Sequence, residues 1–449
     1  MRRAHERERP MGMAWYRSDA PGIGGRLRNR PADFRVTELE DAPIEPIESS
    51  SDAYPNLVLR ATLTAWDTNE FARRLSNKLG ISRERVSWAG TKDKHGITTQ
   101  LISVSDVEPD ASPAIDRAEI EVVGRAGRAL RFGDLLGNEF VIRVRDATDP
   151  THIDDTLADL AWADAPQGAV GVPNYFGHQR FGSRRPITHT VGLAICRRDW
   201  RGAVLSYLGS PHEAEPDRTR QARARIDAGE DWSTALSAFP EYLRYERAML
   251  HSLVESGETD GPDDGDQAGE PYRTALAALP ENLRRLFVHA AQSWLFNRII
   301  SERMAAGLPL DRAVPGDRVC FVETDASAPV PIPDVDRIQR ATDGRLVAIN
   351  RHCRRGRAFV TAPLVGTDTT FADGQPGEIE RSVLAAAGID RSDFDLPDPY
   401  GSAGTRRAIV VRTTVGIDRE PPVFEFALPK GSYATVVMRE FLKTDPTAM

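Results

Sequence analysis

Residues 88–100 read WAGTKDKHGITTQ, a short charged loop between two stretches of strand-forming residues. The runs Val86 to Ala89 and Thr98 to Val104 are rich in β-branched and apolar side chains, which favour strands. Gly90 and Gly96 bound the loop between them, so the segment predicts two strands joined by a tight, charged connection.

Within this loop a single carboxylate, Asp93, lies between Lys92 and Lys94. The chain has only five lysines among its 58 cationic residues, so two of them flanking one aspartate is an unusual concentration. Nearby cations favour an ionised carboxylate, and an ionised carboxylate on such a loop suits a nucleophile or base. An ordinary turn with solvated lysines has the same residue types, and the residues alone leave both readings open.

The rest of the chain predicts a mixture of strands and helices. Phe34 to Leu39 alternates apolar and polar residues, as a half-buried strand does. Phe71, Leu75 and Leu79 have helical spacing, with Thr68 as the expected N-cap and Gly80 as the stop. Further strands are expected at 57–62, 140–144, 316–322, 346–349, 408–414 and 423–428, and helices at 151–161, with Thr151 and Asp154 as a capping box, 290–304 and 432–442. The predicted fold class is α+β.

Length and composition limit the possible classes of protein. At 449 residues the chain exceeds one hydrophobic core, and 40% hydrophobic residues exclude a disordered chain. Three widely spaced cysteines indicate a reducing compartment, and no apolar stretch approaches the roughly 20 residues of a membrane span. We therefore expect a cytoplasmic protein without membrane partners. Residues 1–20 are expected to form a flexible tail, and the acidic segment 255–270 a flexible loop.

The charge is unevenly distributed. The net charge of −8 argues against nucleic acid when taken alone, because phosphate-binding proteins usually carry a basic surplus. Arginines nevertheless cluster at 180–185, 218–225 and 351–357. Such clusters can hold a polyanion against an acidic background, or they can be solvated faces of an arginine-rich protein. Both interpretations remain open at this stage.

Several longer blocks resemble one enzyme family. The segment AGTKDKHGITTQ (89–100) is similar to the catalytic motif of the TruD family of tRNA pseudouridine synthases. Other blocks of that family follow in the right order and extend the resemblance from about residue 24 to the C-terminus. They are RPADFRVTE (30–38), GNEF (137–140), VPNYFGHQRFG (172–182), AQSWLFNR (291–298) and LPKGSYATVVMREF (428–441).

The resemblance implies a discontinuous catalytic domain of the pseudouridine synthase type with a mixed sheet. Its expected bounds are residues 21–170 together with 403–449. Residues 171–402 would then form a large α/β insertion domain specific to the family. The arginine clusters of the insertion become candidates for an RNA-facing wall.

The resemblance also implies roles for individual residues. Asp93 matches the nucleophile, and Arg28 occupies a basic position that is often lysine in the family. Asn138 and Phe140 match a pair that lines the uridine pocket, Phe34 matches the aromatic residue of the DF motif, and Tyr433 matches an aromatic position of the C-terminal block. All four are expected to bind the substrate, since aromatic rings can stack on a flipped base and an amide can read the uracil edge. Core packing is the alternative for each aromatic residue, and it is favoured for Phe34 and Tyr433. Expected tRNA contacts are Lys92, Lys94, Arg354, Arg355 and Arg357.

The implied reaction converts a uridine of tRNA, at position 13, to pseudouridine. The N1–C1′ bond breaks and a C5–C1′ bond forms, so atoms and oxidation state are conserved and we expect no metal or other cofactor. The sequence does not distinguish attack by Asp93 on C1′ from attack on C6, and it leaves the base that removes the C5 proton unassigned. His95 is adjacent to the loop, but a surface role is favoured for it. We expect a monomer that binds tRNA, of the archaeal type and adapted to high salt.

Two other classes of function remain. A noncatalytic RNA-binding protein would have the arginines and aromatics without needing Asp93. A glycoside hydrolase also breaks a glycosidic bond with carboxylates, but it would release free uracil and would need a second carboxylate.

Overall fold

A computed structural model describes residues 1–109, 113–162, 164–182, 184–257, 269–322 and 329–449. Within these ranges the chain forms a large mixed sheet, a smaller second sheet and a group of helices, which confirms the α+β class. Most of the predicted acidic loop lies outside the described residues. The strands are β1 (Arg2–Arg3), β2 (Trp15–Tyr16), β3 (Phe34–Glu40), β4 (Asn56–Thr64), β5 (Val86–Trp88), β6 (Ile97–Ser105), β7 (Ala118–Ala126), β8 (Leu135–Arg143), β9 (Ala169–Pro173), β10 (Arg318–Val322), β11 (Pro333–Arg340), β12 (Ala358–Leu364), β13 (Thr405–Ala408), β14 (Val410–Thr414), β15 (Gly416–Arg419) and β16 (Pro422–Pro429).

Helices fill most of the middle of the chain. The longest, over residues 281–305, packs most of its length into the core and contacts both the helical region and the second sheet. The helices are α1 (Thr68–Leu79), α2 (His152–Leu160), α3 (Thr188–Cys196), α4 (Trp200–Leu208), α5 (Asp217–Asp227), α6 (Trp232–Ala238), α7 (Arg244–Ser256), α8 (Glu270–Ala277), α9 (Glu281–Ala305), α10 (Asp343–Arg354), α11 (Gly374–Ala386) and α12 (Ala434–Leu442).

The large sheet has the strand order β15-β16-β8-β3-β6-β4-β7, with β5 paired to β6 beside this path. Strands β3 and β6 run parallel, and β16 pairs antiparallel with β8. In this register Phe140 lies between Val36 and Phe426, and directly paired residues project to the same face of a sheet. One face therefore carries the side chains of β3, β8 and β16 that matter below.

The second sheet, in the order β11-β10-β12-β13, is formed by residues between 318 and 408. The short strands β9 and β14, one before and one after this part of the chain, pair with each other. The C-terminal strands return to the first sheet, because β16 pairs with β8. This connectivity fits a catalytic sheet interrupted by an insertion. The bounds 21–170 with 403–449, and 171–402, stay a prediction.

The N-terminal segment is packed, so the expectation of a flexible tail for residues 1–20 is wrong. Met11 and Met13 are buried in the main core. Glu8 forms two hydrogen bonds with the buried guanidinium of Arg439 on α12, at 2.7 and 3.0 Å. A buried arginine needs a charge partner, and the N-terminal segment supplies it.

Four local predictions are also corrected. The N-cap of α1 is Asp67, whose carboxylate accepts from two backbone amides, and not Thr68. Residues 346–349 lie in helix α10, where Ile349 and Cys353 are buried one turn apart, and not in a strand. The expected strand 408–414 is divided at Ile409 between two sheets, and Thr151 caps α2 without a side-chain hydrogen bond.

In the described part of the chain, no helix combines the length and apolar character needed to cross a membrane. The three cysteines are buried as free thiols, and burial raises their pKa values.

Candidate active site

Asp93 lies in the loop between β5 and β6, where the sequence motif predicted it. One carboxylate oxygen, Oδ2, is 2.7 Å from Nη2 of Arg28, and the other, Oδ1, accepts from the backbone N–H of His95 at 2.9 Å. The side chains of Asp93 and Arg28 are 19% and 13% exposed. The carboxylate is therefore held in one orientation while still reachable from one side.

The partner of Asp93 is an arginine from a distant part of the sequence rather than its neighbouring lysines. Arg28 has a left-handed backbone with a φ of 58°, and its guanidinium carbon lies 4.1 Å above the centroid of the Phe34 ring. Stacking on an aromatic face fixes the guanidinium plane. Phe34 is 2% exposed and thus supports Arg28 from within the core, in line with the core interpretation.

A buried ion pair anchors the same loop to the sheet. The Lys92 ammonium contacts the carboxylate of Glu38 on β3, and the two side chains are 4% and 1% exposed. The Lys92 backbone N–H donates to Oγ1 of Thr68 at 3.1 Å. Lys92 faces the interior, so the expectation that it contacts tRNA is wrong. Burial raises the pKa of Glu38, and the Lys92 ammonium opposes that shift.

Gly96 closes the loop for a steric reason. A Cβ atom at this position would lie 2.5 Å from the carbonyl oxygen of Phe34, closer than side chains approach. Glycine thus allows β6 to start directly beside β3, which brings the Asp93 loop against Phe34. Lys94 and His95 are exposed on the outer side of this loop.

Phe140 and Asn138 lie on the sheet face that carries Phe34. The Phe140 ring is 8% exposed, edge-on to Phe34 at 6.3 Å and tilted against Phe426 at 5.5 Å. Oδ1 of Asn138 is buried without a hydrogen-bond partner. Buried polar atoms are nearly always paired, so this acceptor lacks the partner that such an atom usually has. These contacts connect Asp93, Arg28, Phe34 and Phe140 in one group, and Asn138 lies two residues before Phe140 on the same sheet face.

Tyr433 lies in a second aromatic group. Its ring is 6.0 Å from Phe176, which belongs to the block at 172–182 and packs edge-on against Phe296 of α9 at 5.6 Å. Tyr433 is half-buried just before α12. The block at 172–182 therefore packs at the start of the helical region and touches one of the expected pocket residues.

The expected arginine contacts divide between surface and interior. Arg354, Arg355 and Arg357 line an open cavity of about 480 Å³ beside Trp162 and Arg412. Arg185 and Arg223, from the other two clusters, are buried and bonded to backbone carbonyls and acids. The arginines at 354–357 are thus accessible to a ligand, whereas Arg185 and Arg223 are used inside the protein.

Metal ligands do not gather among the described residues: no group of three or more histidine, cysteine or acidic side chains is placed to hold an ion.

Two residues of the site were missed from sequence. Phe426 packs on Phe140 from the neighbouring strand, which only the pairing of β16 with β8 reveals. Glu38 follows Phe34 and Val36 in an alternating strand, so it falls on their buried face. An acid on an apolar face was a signal that a partner had to exist.

Comparisons with known proteins agree on one family. The family model described as tRNA pseudouridine synthase D (TruD) matches residues 10–441. A Halobacterium salinarum protein named "Probable tRNA pseudouridine synthase D" is 56% identical across the full length of both chains, and one from Methanococcoides burtonii is 39% identical over 98% of each. A crystal structure under the name tRNA pseudouridine synthase D from Methanosarcina mazei superposes with a TM-score of 0.82, at 38% identity over 99% of this chain and 100% of that one.

Proposed function

Because this chain belongs to the tRNA pseudouridine synthase D (TruD) family, and is therefore an isomerase acting on tRNA, we propose that Asp93 is its nucleophile. We further propose that the target is the uridine at position 13, taken out of the RNA stack for reaction. The observation that carries the proposal is the Asp93 carboxylate, ion-paired to Arg28 at 2.7 Å beside a partly apolar sheet face.

The reaction needs a group that can hold one fragment while the other turns. The N1–C1′ bond breaks, the uracil rotates, C5 bonds to C1′, the C5 proton leaves and N1 gains a proton. A carboxylate can bond to C1′ of the sugar or to C6 of the base and later leave. Arg28 holds the carboxylate in place through either route, since its own plane is fixed on Phe34.

Asn138 and Phe140 suit the task of holding the uracil. The unpaired Oδ1 of Asn138 can accept from the N3–H of uracil, and the amide group can also donate to a carbonyl. Phe140, 8% exposed, lies two residues further along the same strand and on the same face. A flipped base is commonly held by hydrogen bonds to its edge together with aromatic contact. Tyr433 would contact the substrate from the other aromatic group.

We propose that tRNA is held by the open arginine-lined cavity at Arg354, Arg355 and Arg357, together with Lys94. Phosphate contacts of this kind supply affinity without reading sequence. We also propose that the enzyme acts as a monomer in the cytoplasm.

The Asp93→Asn variant tests the nucleophile. The amide retains the shape and removes the charge, so we expect normal folding, near-native tRNA affinity and no detectable pseudouridine by carbodiimide-blocked primer extension on defined tRNA transcripts. Asp116→Asn, at an exposed position, is the control and retains activity.

Other outcomes distinguish the remaining functions. Turnover by Asp93→Asn, in a preparation free of wild-type enzyme, refutes the nucleophile. Free uracil in the wild-type reaction indicates hydrolysis, and tRNA binding without product in the wild type indicates a binding protein.

A further inference from the structure

A second cationic site lies on β13, outside the group around Asp93. The guanidinium carbon of Arg407 is 4.4 Å above the Phe176 ring and 5.7 Å from that of Phe296. Its Nη2 donates to Oδ1 of Asn174 at 2.7 Å, while Nε is buried without a partner. In the described parts of the chain, no carboxylate oxygen lies within 4 Å of this guanidinium.

Several other arginines that are largely removed from water are neutralised by an acid, although the buried Arg412 donates only to the backbone carbonyls of Cys353 and Asp311. Arg303 faces Asp317, Arg406 faces Glu380 and Arg439 faces Glu8, each at 2.7 Å. Arg407 is half-buried as a residue, with its Nε fully buried. A charge that is largely removed from water carries a solvation penalty, so such an arginine without an acid is unusual. Burial lowers the pKa of Arg407 to about 10, and Arg180 adds to the effect by repulsion.

The orientation of Arg407 is fixed before any ligand arrives. The Asn174 amide donates from Nδ2 to the carbonyl of Ala408 at 2.8 Å, which directs its oxygen toward Arg407. The Phe176 ring holds the guanidinium plane from one side. Asn174 and Phe176 both come from the block at 172–182, so that block holds the Arg407 guanidinium in a fixed orientation.

Further polar groups meet Arg407 around one cavity. A space of about 250 Å³ is lined by Asn174, Arg407, Lys430 and Ser432 among others. Lys430 is exposed, and its ammonium contacts the carbonyl of Gly133 at 3.1 Å. A Cβ at Gly431 would lie 3.4 Å from Nη1 of Arg407, so this loop passes directly beside the guanidinium. Four cationic residues, the Ser432 hydroxyl and a larger number of apolar side chains thus line this cavity, and no acid of the described chain is among them. The cations are Arg406, Arg407, Arg412 and Lys430.

We propose that this cavity binds a phosphodiester group of the RNA substrate, adjacent to the nucleotide held by Tyr433. The inference rests on the proposed function, because it takes tRNA as the ligand. Arginine in a fixed plane suits bidentate contact with phosphate, and lysine supplies a point charge. Tyr433, three residues after Lys430, connects this cavity to the pocket for the uridine, since Phe176 touches both Tyr433 and Arg407.

The test compares Arg407→Gln and Arg407→Lys with Arg337→Gln, which removes the same charge from a highly exposed position on β11. We expect Arg407→Gln to weaken tRNA binding and to make the slope of log affinity against log salt shallower by about one. Arg407→Lys restores part of that slope, and Arg337→Gln leaves it unchanged. Removal of an unneutralised buried charge should leave the melting temperature equal or higher.

Two results would overturn the proposal. A lower melting temperature with an unchanged salt slope in Arg407→Gln would make the arginine a structural residue. Inorganic phosphate could raise the melting temperature of the wild type and not that of Arg407→Gln, while the slope of log tRNA affinity against log salt is the same for both proteins. That result would assign the cavity to a free anion. If the wild type forms no pseudouridine while the salt slope still depends on Arg407, the proposed function fails and the phosphate site stands.

Discussion

Removing one member of the buried Glu38–Lys92 pair should destabilise the protein severely. Both side chains are almost fully buried, and the pair fixes the residue next to Asp93 to strand β3. Glu38→Gln leaves the Lys92 ammonium without a counter-charge, and Lys92→Met leaves the carboxylate alone. Truncating one partner of a buried ion pair costs about 3–5 kcal/mol, which is a large part of a typical stability of about 5–15 kcal/mol.

The double variant Glu38→Gln/Lys92→Met separates the pair from the individual residues. It buries no net charge, so we expect it to lose less stability than the two single changes added together, and no more than about one of them. Urea unfolding of the wild type and the three variants gives the four free energies of a double-mutant cycle. As an exposed control, Arg128→Gln removes one partner of the surface pair with Asp134 and should cost about 0–1 kcal/mol.

The catalytic readout distinguishes packing from positioning. The double variant should fold, yet it should form pseudouridine more slowly than the wild type with little change in tRNA affinity, because the Asp93 loop has lost its attachment to β3. The buried ion pair would be refuted if each single variant lost less than about 1 kcal/mol of unfolding free energy, or if the losses of the two single variants added up to that of the double variant. A stable double variant with wild-type turnover would refute the positioning role.

Two further predictions follow from the arginine-lined cavity and from a buried histidine. Replacing Arg354, Arg355 and Arg357 together by glutamine should lower tRNA affinity and reduce the salt slope by roughly two to three, and an unchanged slope in a binding titration would show that they face away from RNA. Burial lowers the pKa of His189 to about 4. As the pH falls, the unfolded chain therefore binds a proton at His189 near pH 6.5, whereas the folded protein binds it only near pH 4. The free energy of unfolding should therefore fall by up to about 3 kcal/mol between pH 6.5 and 4, and that of His189→Phe should fall by less. Urea unfolding at several pH values measures both, and the same pH dependence in the two proteins would contradict the assignment.

Local pattern was a good guide to the elements of this fold. The alternation at Phe34–Leu39 predicted β3, and helical spacing ending at Gly80 predicted α1, because each pattern reflects one buried face. The prediction failed for residues 346–349, where four apolar residues fit either a strand or a turn of helix. The helix becomes recognisable from the burial of Cys353 one turn after Ile349, and this burial depends on tertiary packing that the local sequence does not show.

The candidate site was predictable in its residues more than in its pairings. The loop motif and the family resemblance identified Asp93 and Arg28, but the lysines beside Asp93 gave the wrong source for its counter-charge. Lys92 turns inward because Glu38 needs a cation on the buried face of β3. The two residues come from distant segments of the sequence, so local pattern does not reveal this pair. The N-terminal segment was misjudged for the same reason, since Arg439 draws Glu8 into the interior from more than 400 residues away.

The pairing of β16 with β8 also constrains how this protein can be made in a cell. Val423 pairs with Arg143, 280 positions earlier in the chain. At about 5–20 residues per second, a ribosome needs roughly 15–60 s to deliver the missing strand after β8 has emerged. For that time β8 lacks its β16 neighbour, so the nascent chain exposes an open strand edge of the kind that invites misassembly. Translation must therefore pass Pro429 before β16 can complete the sheet beside β8.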